Sequence, residues 1–222
     1  MVFDWPGNLV PEDVIIRPPR KTVGLTSSHS EVSQRVPAIR PPFKLTLLFG
    51  NLFGSEVLAY RAAEAMFEGM ANLARVPLFD LWFRATDAQI AAGAVTHSDG
   101  TAFSDGALYL TGDLEGVLVS GVQGQRVITA DFGDYGELLQ GGLYFGLGEH
   151  PYIAQAVWWE GSVATIRCSP TLRRDYAAEP LKLRPTMLAG LTSDDGGELR
   201  LKRARYGAPT LELVERFDEP LS

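Results

Sequence analysis

The chain has 222 residues, 45 % of them apolar and 21 % charged, an ordinary globular composition that suffices for one large β-rich domain or two small ones. A net charge of -7 argues against a general nucleic-acid binder, which needs Lys and Arg clustered on one surface. A single cysteine, Cys168, excludes an internal disulfide and any zinc site built on paired cysteines.

The charge is uneven. Between Ala85 and Glu149 nine acids stand against Arg126 alone, so the rest of the chain is nearly neutral, as expected of two units or of one unit with two unlike surfaces. No run approaches the roughly 18 apolar residues of a membrane span. M-V-F-D-W-P-G-N-L-V-P lacks the basic-then-apolar order of a signal peptide, so synthesis in the cytoplasm without general secretory export is expected.

In chain order, Pro6, Pro11, Pro18, Pro19, Pro37, Pro41 and Pro42 divide the first fifty residues into short extended pieces, because proline donates nothing to a sheet ladder. V-I-I-R at 14–17 and K-L-T-L-L-F at 44–49 are the expected strands, and T-S-S-H-S-E-V-S-Q-R between them reads as an exposed loop. Around it lie Arg17, Arg20, Lys21, Arg35, Arg40 and Lys44, either a solvated face or a protein contact arm. A helix is predicted over Ser55–Leu73, with Ser55 as N-cap, Glu56 at the positive dipole end, and Ala59, Ala62, Ala63, Met66, Met70 and Leu73 as one apolar stripe against a sheet.

After R-V-P-L-F-D-L-W-F-R (75–84), which alternates like a strand, short β-runs separated by glycine-rich turns follow at 107–111, 116–120, 126–131, 143–147, 152–159 and 163–168. Strands at such intervals indicate a small sandwich or barrel. The tail adds P-L-K-L-R-P-T-M-L-A-G-L (180–191), a D-D-G-G turn at Asp194–Gly197, E-L-R-L-K-R-A-R-Y and T-L-E-L-V-E-R-F. The expected fold is mainly β (α+β): residues 1–90 with 186–222 form one domain carrying the helix 55–73, and 91–185 form an inserted β-domain.

Signals for chemistry are weak. No G-x-S-x-G occurs, and no Ser-His spacing singles out a pair. Cys168 with His150 and Asp175 draws a thiol triad on paper, but a lone cysteine in V-A-T-I-R-C reads as an inert, half-buried residue. His29, His97 and His150 are far apart, and Y-F-G-L-G-E-H-P has G-x-G without a third glycine or a following helix. S-D-G-x-x-(aromatic) occurs twice, at Ser98–Phe103 and Ser104–Tyr109; it reads as two Asx-type turns, with calcium held by Asp99 and Asp105 as the alternative. Trp158, Trp159, Tyr144 and Tyr152 offer stacking faces for a carbohydrate, although adjacent tryptophans in a strand point to opposite faces. No catalytic, cofactor-binding or metal residue is assigned, and no cofactor is expected.

H-S-D-G-T-A-F-S-D-G-A-L-Y (97–109), G-G-L-Y-F-G-L-G-E-H-P-Y (141–152) and P-T-L-R-R (170–174), with W-P-x-x-L-x-P at Trp5–Pro11, Y-R-A at Tyr60–Ala62 and V-E-R-F at Val214–Phe217, resemble tail proteins of bacterial siphophages and related prophages. Within that class the chain is most similar to a distal tail protein of the tail tip or baseplate. The resemblance implies a non-enzymatic virion component: a hexameric ring of β-sandwich belt domains with an outer helix and a peripheral β-domain, joining the tail tube protein to the hub. The alternative function is a carbohydrate-binding module of an adhesion apparatus.

Overall fold

The computed structural model describes residues 1–19, 22–27, 33–38, 40–80, 94–95, 109–110, 113–194, 196–201 and 206–217. Among the described residues the chain is mainly β with one α-helix, and it divides into two compact units: Met1–Phe79 with Met187–Ser222, and Asp80–Thr186. The expected boundary at 90/91 falls among residues outside the described set.

The first unit is built on a six-stranded sheet. Its strands are β1 (Val2–Asp4), β2 (Asp13–Arg17), β5 (Lys44–Leu48), β6 (Leu73–Pro77), β15 (Thr186–Leu191) and β16 (Thr210–Glu215), in the order β1-β6-β15-β16-β5-β2. β1 runs parallel to β6, whereas β16 pairs antiparallel with both β15 and β5, and β5 with β2. Leu45, Leu47, Leu211 and Leu213 alternate with more polar positions and are buried, as a sheet with one covered face requires.

Between β2 and β5 the chain leaves the sheet at the Arg17–Lys44 pair and forms a separate two-stranded sheet, β3 (Thr22–Ser27) with β4 (Ser33–Pro37). This hairpin replaces much of the loop expected over 26–35; residues 28–32 lie outside the described set.

The helix α1 spans Ser55–Phe67, shorter than the predicted 55–73. It stops because Glu68 and Gly69 both turn left-handed, at φ 48° and 65°, and Leu73 already belongs to β6. The N-cap is Gly54 rather than Ser55, and the Glu56 carboxylate accepts the Phe53 N–H at 3.1 Å. The buried stripe is Val57, Tyr60, Ala63 and Phe67. It shares Ala63 with the predicted one, but Tyr60 and Phe67 take the places expected of Ala59 and Met66, because the two large rings bury more apolar area than the neighbouring side chains. Phe67 meets Phe3 edge-on at 5.0 Å and Tyr60 meets Phe49 edge-on at 5.4 Å, which fixes the helix on the sheet.

The second unit holds a six-stranded sheet of β9 (Asp113–Gly121), β10 (Val127–Asp131), β11 (Tyr144–Leu147), β12 (His150–Glu160), β13 (Val163–Ser169) and β14 (Tyr176–Lys182), in the order β10-β13-β12-β11-β14-β9. Every neighbouring pair is antiparallel. The sheet curls until β9 and β10, its two ends, lie beside each other in a nearly closed barrel. Its interior is lined by Val117, Val119, Ile128, Phe145, Leu147, Tyr152, Ile166, Leu172 and Leu181, among others. A short two-stranded sheet, β7 (Ala94–Val95) with β8 (Tyr109–Leu110), completes the described strands. The stretch 180–191 takes part in two strands: β14, in the sheet of the second unit, and β15, in the sheet of the first.

Candidate functional site

The residues that carry the sequence motifs are mostly interior. Trp5 is buried, stacks on Phe49 at 6.4 Å, and donates its indole N–H to the Leu9 carbonyl at 2.7 Å, while Leu9 N–H bonds to Pro6 O. W-P-x-x-L-x-P is therefore a tight turn closed by its own tryptophan. Tyr60 of Y-R-A donates to Gly197 O at 2.5 Å from inside the core. Burial, with Glu64 adding to it, pushes this phenol well above the ordinary tyrosine range, so it stays a neutral donor. Glu215 of V-E-R-F is buried; its carboxylate accepts the Phe43 N–H at 2.9 Å, and its own N–H donates to Phe43 O at the same distance. Phe217 lies beneath the Arg40 guanidinium at 5.7 Å.

In the second unit, G-L-G-E-H-P-Y and P-T-L-R-R meet across the barrel interior. Arg173 N–H donates to the Tyr152 hydroxyl at 3.0 Å, the two hydroxyls of Tyr152 and Tyr176 are 2.9 Å apart, and Tyr176 donates to Leu147 O at 3.2 Å. A phenol has one proton, so with that of Tyr176 on Leu147 the bond between the phenols runs from Tyr152 to Tyr176. The chain Arg173 N–H, Tyr152, Tyr176, Leu147 C=O thus satisfies each buried polar atom in turn. Desolvation raises both phenols above their usual range, so neither serves as a proton acceptor for chemistry near neutral pH. Arg173 and His150 are also buried beside this network in sequence and register.

The thiol triad drawn on paper is not assembled. Cys168 is buried opposite Ala154 and its thiol points to Arg126 O at 3.4 Å; burial pushes its pKa up to about 11. His150 starts the same strand four residues before Ala154, about 13 Å away along it. Asp175 is exposed and accepts the Gln123 N–H at 2.7 Å. The thiol is thus the inert residue its sequence context suggests.

Ser98, Asp99, Ser104 and Asp105 of the S-D-G doublet lie outside the described residues, as do His29 and His97. Among the described residues no cluster of His, Cys, Asp and Glu could hold a metal ion, and no helix is long and apolar enough to cross a membrane.

Of the four aromatic candidates for carbohydrate stacking, Tyr152 is in the core, Tyr144 is half-buried on β11, and Trp159 turns inward, edge-on to Phe132 at 5.0 Å. Only Trp158 faces outward, with 54 % of its surface exposed. Strand alternation separates the two tryptophans as expected.

Two features among these bear on binding: the segment from Arg17 to Lys44, which is basic in sequence, and the exposed Trp158 on β12. The chain matches no protein-family model and no curated protein.

Proposed function

We propose that this protein is a structural component of a phage tail tip, a homo-oligomeric ring, hexameric by resemblance, that joins the tail tube to the hub. The observation that carries the reading is the β3–β4 hairpin. It forms a sheet of its own at the end of the β2/β5 pair, and a lone two-stranded hairpin is marginal in water. Such an element gains its order by lying against another surface. The segment from Arg17 to Lys44 carries Arg17, Arg20, Lys21, Arg35, Arg40 and Lys44 against Glu31 alone, so an acidic surface suits it. The acid-rich stretch between Ala85 and Glu149 supplies that sign on a second copy, and a ring requires two unlike patches of this kind on each subunit.

In this reading the protein works by assembly rather than by catalysis. The first unit supplies the basic segment and the second unit the acid-rich stretch. The motif residues hold each unit's interior together, consistent with motifs made of turns and strands. Negative-stain imaging of the purified chain mixed with tail tube and hub proteins tests the role: rings capping the tube support it, and tubes that remain bare with the chain in excess refute it.

A further inference from the structure

We propose that the outward face of β10, β13 and β12 centred on Trp158 binds an uncharged, β-linked glycan of gluco configuration. The strand register places three outward rows side by side. Val127, Arg167 and Ala156 form one row, Thr129, Thr165 and Trp158 the next, and Asp131, Val163 and Glu160 the third. Inward neighbours such as Ile128, Ile166 and Ala164 are buried, so the alternation of the strands commits these rows to the outside.

Three properties of the face identify the ligand. Trp158 presents a broad apolar ring, and gluco-configured pyranoses carry their hydroxyls equatorially, leaving axial C–H groups on both faces to lie flat on an indole. Thr165 and Thr129 continue the row at the strand spacing of about 4.8 Å per step, similar to the advance of one sugar ring along an extended β-linked chain. Their hydroxyls both donate and accept, as sugar hydroxyls require. The flanking charges, Arg167 against Asp131 and Glu160, leave one net negative charge, which repels a polyanion and suits a neutral chain. Asp131 is held in its charged form by the Ser162 hydroxyl and the Gly133 N–H, so it is a fixed acceptor at the edge of the face. A protein-binding hot spot would instead surround its tryptophan with apolar neighbours that exclude water; here Thr165, Glu160 and Arg167 stand beside Trp158 along with Ala156 and Val163, so no closed apolar rim forms around it.

The inference stands apart from the ring assembly: either can fail alone. Titrating the full chain with cellohexaose and with chitohexaose, followed by calorimetry and tryptophan fluorescence, tests it, with the α-linked maltohexaose as control. Binding to at least one β-linked probe, weakened about tenfold or more in Trp158→Ala and severalfold in Thr165→Val, with unchanged melting curves and unchanged sedimentation, is the expected result. The proposal is overturned if neither β-linked probe binds, if maltohexaose binds as well, or if Trp158→Ala binds as the parent does. It is equally overturned if Trp158→Ala lowers self-association instead, which would make the face a protein contact.

Discussion

Gly197 shows how much a single position can constrain the first unit. Its φ is 91°, and a Cβ there would sit 2.6 Å from Leu211 Cδ1 and 3.1 Å from the Tyr60 hydroxyl, so Gly197→Ala meets both backbone strain and core atoms. We expect it to lower the unfolding free energy by about 2 to 4 kcal/mol. Gly161→Ala, at φ 63° with nothing within 4 Å, should cost only about 1 kcal/mol; urea denaturation of the two variants separates strain from collision. Tyr152→Phe removes the acceptor of Arg173 N–H inside the barrel and should cost about 1 to 3 kcal/mol by the same measurement. The thiol gives a pH dependence. Cys168 ionises at about 9 when exposed and at about 11 in the fold, so its contribution is complete below pH 9 and is lost as pH rises through 11. Stability measured across that window should fall, and Cys168→Ala should fall less steeply. An equal slope in both would show that the buried tyrosines, also raised, account for all of it.

Among the elements, the helix is the most instructive. Glu64 on its partly covered side is raised by desolvation first and by Glu198 next, with Arg61 opposing. A raised carboxyl favours the fold only below its ordinary pKa and costs stability once ionised. Glu64→Gln should therefore stabilise the protein slightly at neutral pH and lose that advantage near pH 4, checked by thermal melts at the two values. The helix also marks where sequence patterning misleads. Glu68 and Gly69 turn left-handed, yet apolar spacing continues past that glycine through Met70 and Leu73, and the pattern passes unbroken into β6. The strands of the second unit from Val127 to Ser169 are legible because β-branched and aromatic runs are punctuated by glycine turns. The β3–β4 hairpin is not, because the sequence from Thr26 to Arg35 is mostly polar and shows no apolar alternation to mark a strand. The buried roles of Trp5, Tyr60 and Tyr152 are equally hidden, since bonds from side chains to distant carbonyls follow no spacing. Of the two surface features, the basic arm and the exposed tryptophan could be named from sequence, whereas the threonine row beside Trp158 needed the strand register.

For the whole molecule, we propose assembly into a closed ring through the segment from Arg17 to Lys44, which is basic in sequence. Contacts between an arm of one sign and a surface of the other weaken as salt screens them over about 10 Å at 0.1 M, so assembly should be favoured at low ionic strength. Sedimentation velocity of the purified chain tests this most directly, alongside a variant with Arg17, Arg35 and Arg40 changed to glutamate. One discrete ring species is expected for the parent, shifting toward monomer as salt is raised, and a folded monomer for the variant. A parent that remains monomeric at low salt and high concentration, with tube and hub proteins also present, would contradict it.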